Sequence, residues 1–247
     1  MTWNLAATAR RPQPTSGLST KTKGLRGPRA PSPPAAEFEP FGFLGRWDSL
    51  IPFVGLALAM VGVAILLILI PWDAGARPVG AALVYGATLL ASYVASSLYH
   101  WTQHPRARHI FRALDHSAIY LLIAGTVTTV AAMPLWDHRG TLLLVLVWSS
   151  ALGGIALRLF MVRRLHRFSS LIYVAIGWAG IAWIVPLVRT LDAWPLALLG
   201  IGGVAYTAGL AFFHWPRFKF NNAIWHIFVL AGSAMHFAAI VMMLRAY

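Results

Sequence analysis

The chain has 247 residues, 58% of them hydrophobic and only 11% charged, where a soluble protein carries about 25% charged residues. That balance excludes a water-soluble domain, and the absence of cysteine excludes disulfides, thiolate metal sites and cysteine nucleophiles. The net charge of +13 does not indicate nucleic acid, because the basic residues alternate between loops and form no stripe interleaved with aromatics.

Residues 1–46 are rich in Pro, Ser, Thr, Arg and Lys. PRAPSPPAAEFEP at 28–40 is incompatible with a regular helix, since proline lacks a donor and clashes with the preceding turn. A disordered basic tail is expected here, with the membrane domain occupying 47–247. An organelle transit peptide stays open, because residues 1–35 contain Arg, Ser and Thr but no acid. No apolar segment of a secretory signal precedes residue 50.

Seven apolar stretches follow, near 50–71, 78–99, 117–135, 140–162, 170–188, 194–213 and 223–244. Each is long enough to cross a hydrocarbon core of about 30 Å as a helix. Lipid leaves backbone polar groups no other partner, so helices are the expected form. The fold class expected is therefore all-α, a seven-transmembrane helix bundle. Arg158, at the end of the fourth stretch, is expected to snorkel to the interface.

The charge distribution orients the bundle. The tail, loop 2–3, loop 4–5 and loop 6–7 together hold 16 of the 20 Lys and Arg, and the other side holds Arg77, Arg139, Arg189 and Arg245. The expected topology places the N-terminus in the cytoplasm and the C-terminus outside. Trp72, Trp101, Trp136, Trp194 and Trp215 fall near the predicted interfaces, as an aromatic belt does. Gly153, Gly154, Gly200, Gly202, Gly203 and Gly209 read as sites of close helix packing.

The chemistry must come from few polar residues. His100 ends the second stretch, Asp115 opens the third, and His226 lies in the first turns of the seventh. By the charge count all three fall toward the cytoplasmic face, where a bundle can bring them together. Ser96 and His100 are at i, i+4 on one helix face, and so are Asn222 and His226. Two His and one further ligand suit an open zinc site, with Asp115 orienting or deprotonating a water and Ser96 bonding it or a developing oxyanion. The plainer readings stay open: Asp115 as a helix cap, and His100 and His226 as structural hydrogen-bonding residues. His236 lies about 15 Å further along its helix than His226, too far to share a metal, and a hydrogen bond to a neighbouring helix is expected. His104, His109 and His116 are expected in or beside a basic loop.

Ser96-Ser97-Leu98-Tyr99-His100 and the run from Leu114-Asp115-His116-Ser117 to Gly125-Thr126 resemble the signature of the hemolysin III family. Tyr173 with Gly177-Trp178, Gly202-Gly203-Val204-Ala205-Tyr206, Ile224-Trp225-His226 and Gly232-Ser233-Ala234-Met235-His236-Phe237 continue the likeness in order, over about 45–245. The resemblance implies the wider group of progestin and adipoQ (adiponectin) receptors and, more distantly, the alkaline ceramidases. It implies seven helices with a cytoplasmic N-terminus, zinc held near the cytoplasmic side by three His, and hydrolysis of lipid amides. Carried over by position, His100 and His226 are zinc ligands, and Ser96 and Asp115 the accompanying polar pair. Asn222 stands where the family has the third His, and an amide oxygen is a poor zinc ligand beside imidazole. Three outcomes are open: weak zinc binding with Asn222 or water in the gap, substitution by His116 or His104, or loss of the site. The family's Thr-Tyr-Thr-Pro is here Thr126-Val127-Thr128-Thr129, and its acidic, Asn and His-Gly positions before the first span are unmatched in Arg46-Trp47-Asp48-Ser49-Leu50.

The function expected is a zinc-dependent hydrolase of lipid amide or ester bonds in the cell membrane, with membrane lipid as partner and no nucleic acid. The alternative is a non-enzymatic sensor or pore-forming protein with a degenerate metal site. Haem between paired His on facing helices is a third reading.

Overall fold

The computed structural model describes residues 43–160, 169–215, 217 and 220–246. The tail expected at 1–46 lies outside these residues except for its last four, which are already helical. All regular structure among the described residues is helical. The helices are α1 (Phe43–Leu69), α2 (Ala76–Trp101), α3 (Pro105–Ala132), α4 (His138–Phe160), α5 (Ser169–Gly177), α6 (Ile184–Thr190), α7 (Ala193–Phe213) and α8 (Asn221–Leu244). They provide seven segments long and apolar enough to span a membrane, with α5 and α6 sharing the fifth. The chain is a multi-pass membrane protein.

Helices adjacent in sequence pack against one another, and α1 meets α8 to close the bundle. The usual inside-out distribution is relaxed, because lipid is as apolar as leucine. Large side chains such as Ile68, Val61, Leu171 and Val185 are exposed toward the bilayer. The interior is built from small and polar residues interleaved with a few large ones: Tyr85, Tyr120, Leu66, Leu143 and Ile240 are fully buried. Helices α2 and α3 bury the largest share of their spans. Trp72, Trp101, Trp136, Trp194 and Trp215 are all exposed.

Close approach explains some of the glycines. A methyl on Gly154 would meet the ring of buried Tyr120, and one on Gly209 would meet Phe228 and Trp225. Gly153 and Gly200 face open space, so the packing role expected for the whole set applies to only part of it.

Two elements differ from the sequence expectation. Helix α3 begins at Pro105, twelve residues before the predicted 117. Proline suits the first helical position, where its missing donor costs nothing, and the polar turns that follow escape a hydropathy reading. Arg106, Arg108, His109, Arg112 and His116 are thus helical rather than loop residues. Asp115 is the eleventh residue of α3, so it does not cap the helix; His104 occupies that position. The fifth span is broken, with a 3-10 segment at Ala179–Trp183 between α5 and α6. Pro186 removes a donor and crowds the carbonyl four residues earlier, and Gly177 and Gly180 weaken the helix before it. Side-chain bonds hold the break: Trp178 Nε1 donates to Thr207 Oγ1 at 3.0 Å, and Trp183 Nε1 to the Arg139 carbonyl at 3.1 Å.

Candidate functional site

The link between α2 and α3 spans only residues 102–104, so the two helices run antiparallel and the end of one lies beside the start of the other. Ser49 and Ser97 hold α1 to the end of α2: Ser97 Oγ donates to the Pro52 carbonyl at 3.2 Å, and Ser49 Oγ to the His100 carbonyl at 3.4 Å. His100, one turn beyond Ser96, therefore points inward from an anchored backbone.

The first turns of α8 bring the facing groups. His226 is buried, and its Nε2 lies 3.1 Å from Nε2 of His100. The two rings meet edge to face, 4.9 Å between centres. In the bare protein one ring donates to the other. The same separation suits two ligands on one tetrahedral zinc, where bonds of 2.0–2.1 Å put the nitrogens roughly 3.3 Å apart. It is too short for imidazoles on opposite faces of a haem iron, which stand about two metal–nitrogen bonds apart.

A cavity of about 270 Å³ opens beside this pair. Ser96 and Tyr99 line it from α2, and Arg112, Asp115, His116 and Ile119 from α3. Arg158 enters from α4, Ser170 and Tyr173 from α5, Leu210 from α7, and Asn222, Trp225 and Val229 from α8. The five residues singled out from the sequence, Ser96, His100, Asp115, Asn222 and His226, thus share one cavity. Ser96 Oγ and His100 Nδ1 are buried, and Asp115 is the carboxylate that Ser96 approaches.

Two imidazoles are in place, while no group of three His, Cys, Asp or Glu among the described residues is close enough to hold a metal. Asn222, one turn before His226, lines the same cavity. Of the suggested substitutes, His116 is on the cavity wall and His104 is not. The donor set therefore fits two zinc positions with nitrogen and leaves a third to the Asn222 amide, since His116 does not complete a group of three with the pair.

Some cavity residues were not read from the sequence as part of a site. By sequence Arg112 falls in a topology-setting loop and Arg158 at the interface. Arg112 has a signal in helical spacing, three residues before Asp115 on the same face, and Arg158, on α4, has none. Ser170 and His214, bonded to each other at 3.1 Å, carry no motif.

Deeper in the bundle, Tyr93 donates to Ser233 at 3.0 Å and Tyr206 lies 2.8 Å from the same oxygen. His236 Nε2 donates to the Leu199 carbonyl at 3.1 Å, the bond to a neighbouring helix expected for it. A second, mainly apolar cavity of about 100 Å³ runs between α3, α5, α7 and α8. Ile119, Tyr173, Leu210 and Trp225 line both cavities.

Comparison with known proteins identifies the family. A family profile described as Haemolysin-III related matches residues 50–237. Hemolysin-3 of Bacillus cereus is 42% identical over 188 residues, covering 76% of this chain and 86% of that protein. The Hemolysin-3 homolog of Bacillus subtilis (strain 168) is 37% identical over 188 residues, covering 76% and 88%. The human monocyte to macrophage differentiation factor is 29% identical over 168 residues, covering 64% and 67%. With seven membrane spans, motifs in the expected order and a profile match across most of its length, this chain belongs to the haemolysin-III-related family.

Proposed function

We propose that this protein is a zinc-dependent hydrolase of lipid amide or ester bonds, working from the cytoplasmic side of the cell membrane. The observation that carries the reading is the 3.1 Å approach of His100 and His226 in a cavity also lined by Ser96 and Asp115. His100 and His226 would hold the metal, with Asn222 supplying a weaker third contact. Zinc bound there supplies a positive charge that polarises a carbonyl and acidifies water at neutral pH.

The chain's own residues divide the remaining work. Asp115 takes the proton of the attacking water and returns it to the departing amine or alcohol, the general acid–base role of a carboxylate. Ser96, whose buried hydroxyl lies beside the Asp115 carboxylate, donates to the carbonyl oxygen as negative charge develops on it. The second cavity supports a lipid substrate, because its apolar walls continue from the polar site into the bundle through Ile119, Tyr173, Leu210 and Trp225. An acyl chain lying there leaves its carbonyl at the polar end. The cytoplasmic placement rests on the 16 basic residues expected at this end of the bundle.

The test is metal analysis of the purified protein alongside hydrolysis of N-acyl and O-acyl lipids in mixed micelles. Bound zinc, turnover, and loss of both in the His100→Ala variant are expected. Absence of zinc in native protein supplied with it, together with no turnover, would overturn the proposal.

A further inference from the structure

The polar cavity is also lined by a Ser–His pair that has no role in the zinc reading. Ser170 comes from the first turn of α5 and is half-buried, and His214 caps the C-terminus of α7 and is exposed. Ser170 Oγ lies 3.1 Å from His214 Nε2, and His214 Nδ1 lies 2.9 Å from the Leu210 carbonyl oxygen. The second contact sets the direction of the first. A carbonyl oxygen only accepts, so Nδ1 carries the ring hydrogen. In the neutral imidazole Nε2 then offers a lone pair, and Ser170 donates to it. The same carbonyl accepts the His214 backbone N–H at 3.1 Å, so ring and backbone are anchored to one turn of α7. A hydroxyl, a base and a third group that orients the base are the parts of an activated nucleophile. Here the carbonyl does the orienting that a carboxylate does in a triad. The C-terminal end of α7 also favours the positive ring that forms when the base takes a proton.

We propose that Ser170 and His214 form a metal-independent esterase centre in which Ser170 carries the acyl group of an O-acyl lipid. It does not depend on zinc at His100 and His226. Tyr173, one turn after Ser170, and Leu210, one turn before His214, line both the polar cavity and the apolar one. Ser170 and His214 stand about 4.5 and 6 Å beyond them along their helices. An acyl chain leaving the apolar cavity past Tyr173 and Leu210 therefore brings its carbonyl toward Ser170. As Ser170 Oγ bonds to the ester carbonyl carbon, its proton passes to His214 Nε2. The bond from that carbon to the alcohol oxygen breaks, and the departing oxygen takes the proton from Nε2, leaving acyl-Ser170 and the free alcohol. Water then attacks the acyl carbon with His214 as base, the bond to Oγ breaks, and Oγ recovers the proton as the fatty acid leaves. One ester and one water give one alcohol and one acid, with both residues restored.

The experiment treats the full chain in detergent with a long-chain alkyl fluorophosphonate, with and without EDTA, and locates the modified residue by peptide mass spectrometry. Ser170 is expected to be labelled whether or not metal is chelated, with the rate falling about 10²-fold or more in H214Q, the scale of general base catalysis. No label on Ser170, or an equal rate in H214Q, overturns the inference. A second measurement leaves His214 in place. Because the chain has no cysteine, S170C supplies a single thiol, which an adjacent imidazole holds partly as thiolate. That thiol should react with iodoacetamide about ten-fold faster in the folded protein than after unfolding in denaturant, and an equal or slower reaction in the folded protein overturns the inference. Hydrolysis of an O-acyl lipid separates the two readings. Turnover that survives EDTA and disappears in S170A is expected, and its absence, or its persistence in S170A, overturns the esterase centre while leaving the zinc reading to its own test. If all turnover survives EDTA and is lost in S170A, the zinc reading fails and the esterase centre stands.

Discussion

The Nε2 atoms of His100 and His226 lie 3.1 Å apart although 126 residues separate them in the chain. One imidazole ends α2 and the other lies in the first turns of α8, so their contact depends on the packing of helices from opposite ends of the sequence. The pair is one imidazole short of the three that the family resemblance implies for a zinc site. Replacing Asn222 by His restores that donor one turn from His226. Asn222→His is expected to raise zinc affinity about ten-fold or more, and His226→Ala to abolish tight binding. Competition with a chromogenic chelator measures both, and an unchanged affinity in Asn222→His would refute the assigned ligand position.

Asp115 and Ser96 have separable roles. Asp115→Asn keeps the shape but removes the base, so kcat for lipid amide hydrolysis should fall by about 10²–10⁴. Ser96→Ala removes one donor to the developing oxyanion and should cost roughly 10² in kcat. Zinc content should be unchanged in both. A full-rate Asp115→Asn enzyme would exclude the carboxylate as base.

The tyrosine pair at Ser233 makes a structural prediction. Ser233→Ala leaves the hydroxyls of Tyr93 and Tyr206 without their shared partner inside the bundle. The cost should be about 1–2 kcal/mol, because hydrogen bonds between membrane helices are individually modest. Thermal unfolding in detergent measures it, and no loss of stability would show that the tyrosines find other partners.

Adjacent glycines on α4 give a matched pair. Gly154→Ala pushes a methyl into the Tyr120 ring, while Gly153→Ala meets nothing within 4 Å. The first should destabilise by about 1–3 kcal/mol through overpacking. The second should be neutral or stabilising by up to about 1 kcal/mol, since alanine is the better helix former. Equal effects would contradict the packing of α4 against α3.

Because the chain has no cysteine, single introduced cysteines report topology cleanly. Asp73 and Gln103 are exposed at opposite ends of α2. In intact cells an impermeant maleimide should label Asp73→Cys and not Gln103→Cys. The opposite pattern would invert the orientation drawn from the basic residues.

The spans were legible because hydrophobic length is a local property, and six of the seven expected segments agree with the observed ones to within about three residues at most ends. The start of α3 was missed because its first turns are polar and extend the helix beyond the apolar run. The break between α5 and α6 was missed for the opposite reason: Gly177, Gly180 and Pro186 interrupt the helix without interrupting hydropathy. Ser96, His100, Asn222 and His226 could be found from i, i+4 spacing and family motifs. Arg158 could not, since a cation at a helix end serves equally as a topology signal, and only its direction distinguishes the two; Arg112 had its spacing to Asp115 as a signal, hidden because its stretch reads as a loop from hydropathy.

By itself the sequence determined a membrane protein of seven helices, with its ionisable residues gathered toward one end, because the cost of exposing polar groups to lipid is paid residue by residue. Tertiary structure alone decided that two imidazoles from α2 and α8 meet, that Asp115 lies within a helix instead of capping it, and that two arginines turn into the same cavity. Those outcomes depend on how helices rotate and pack around their long axes, and small side chains such as Gly154 and Gly209 set that rotation through contacts made far away in the chain.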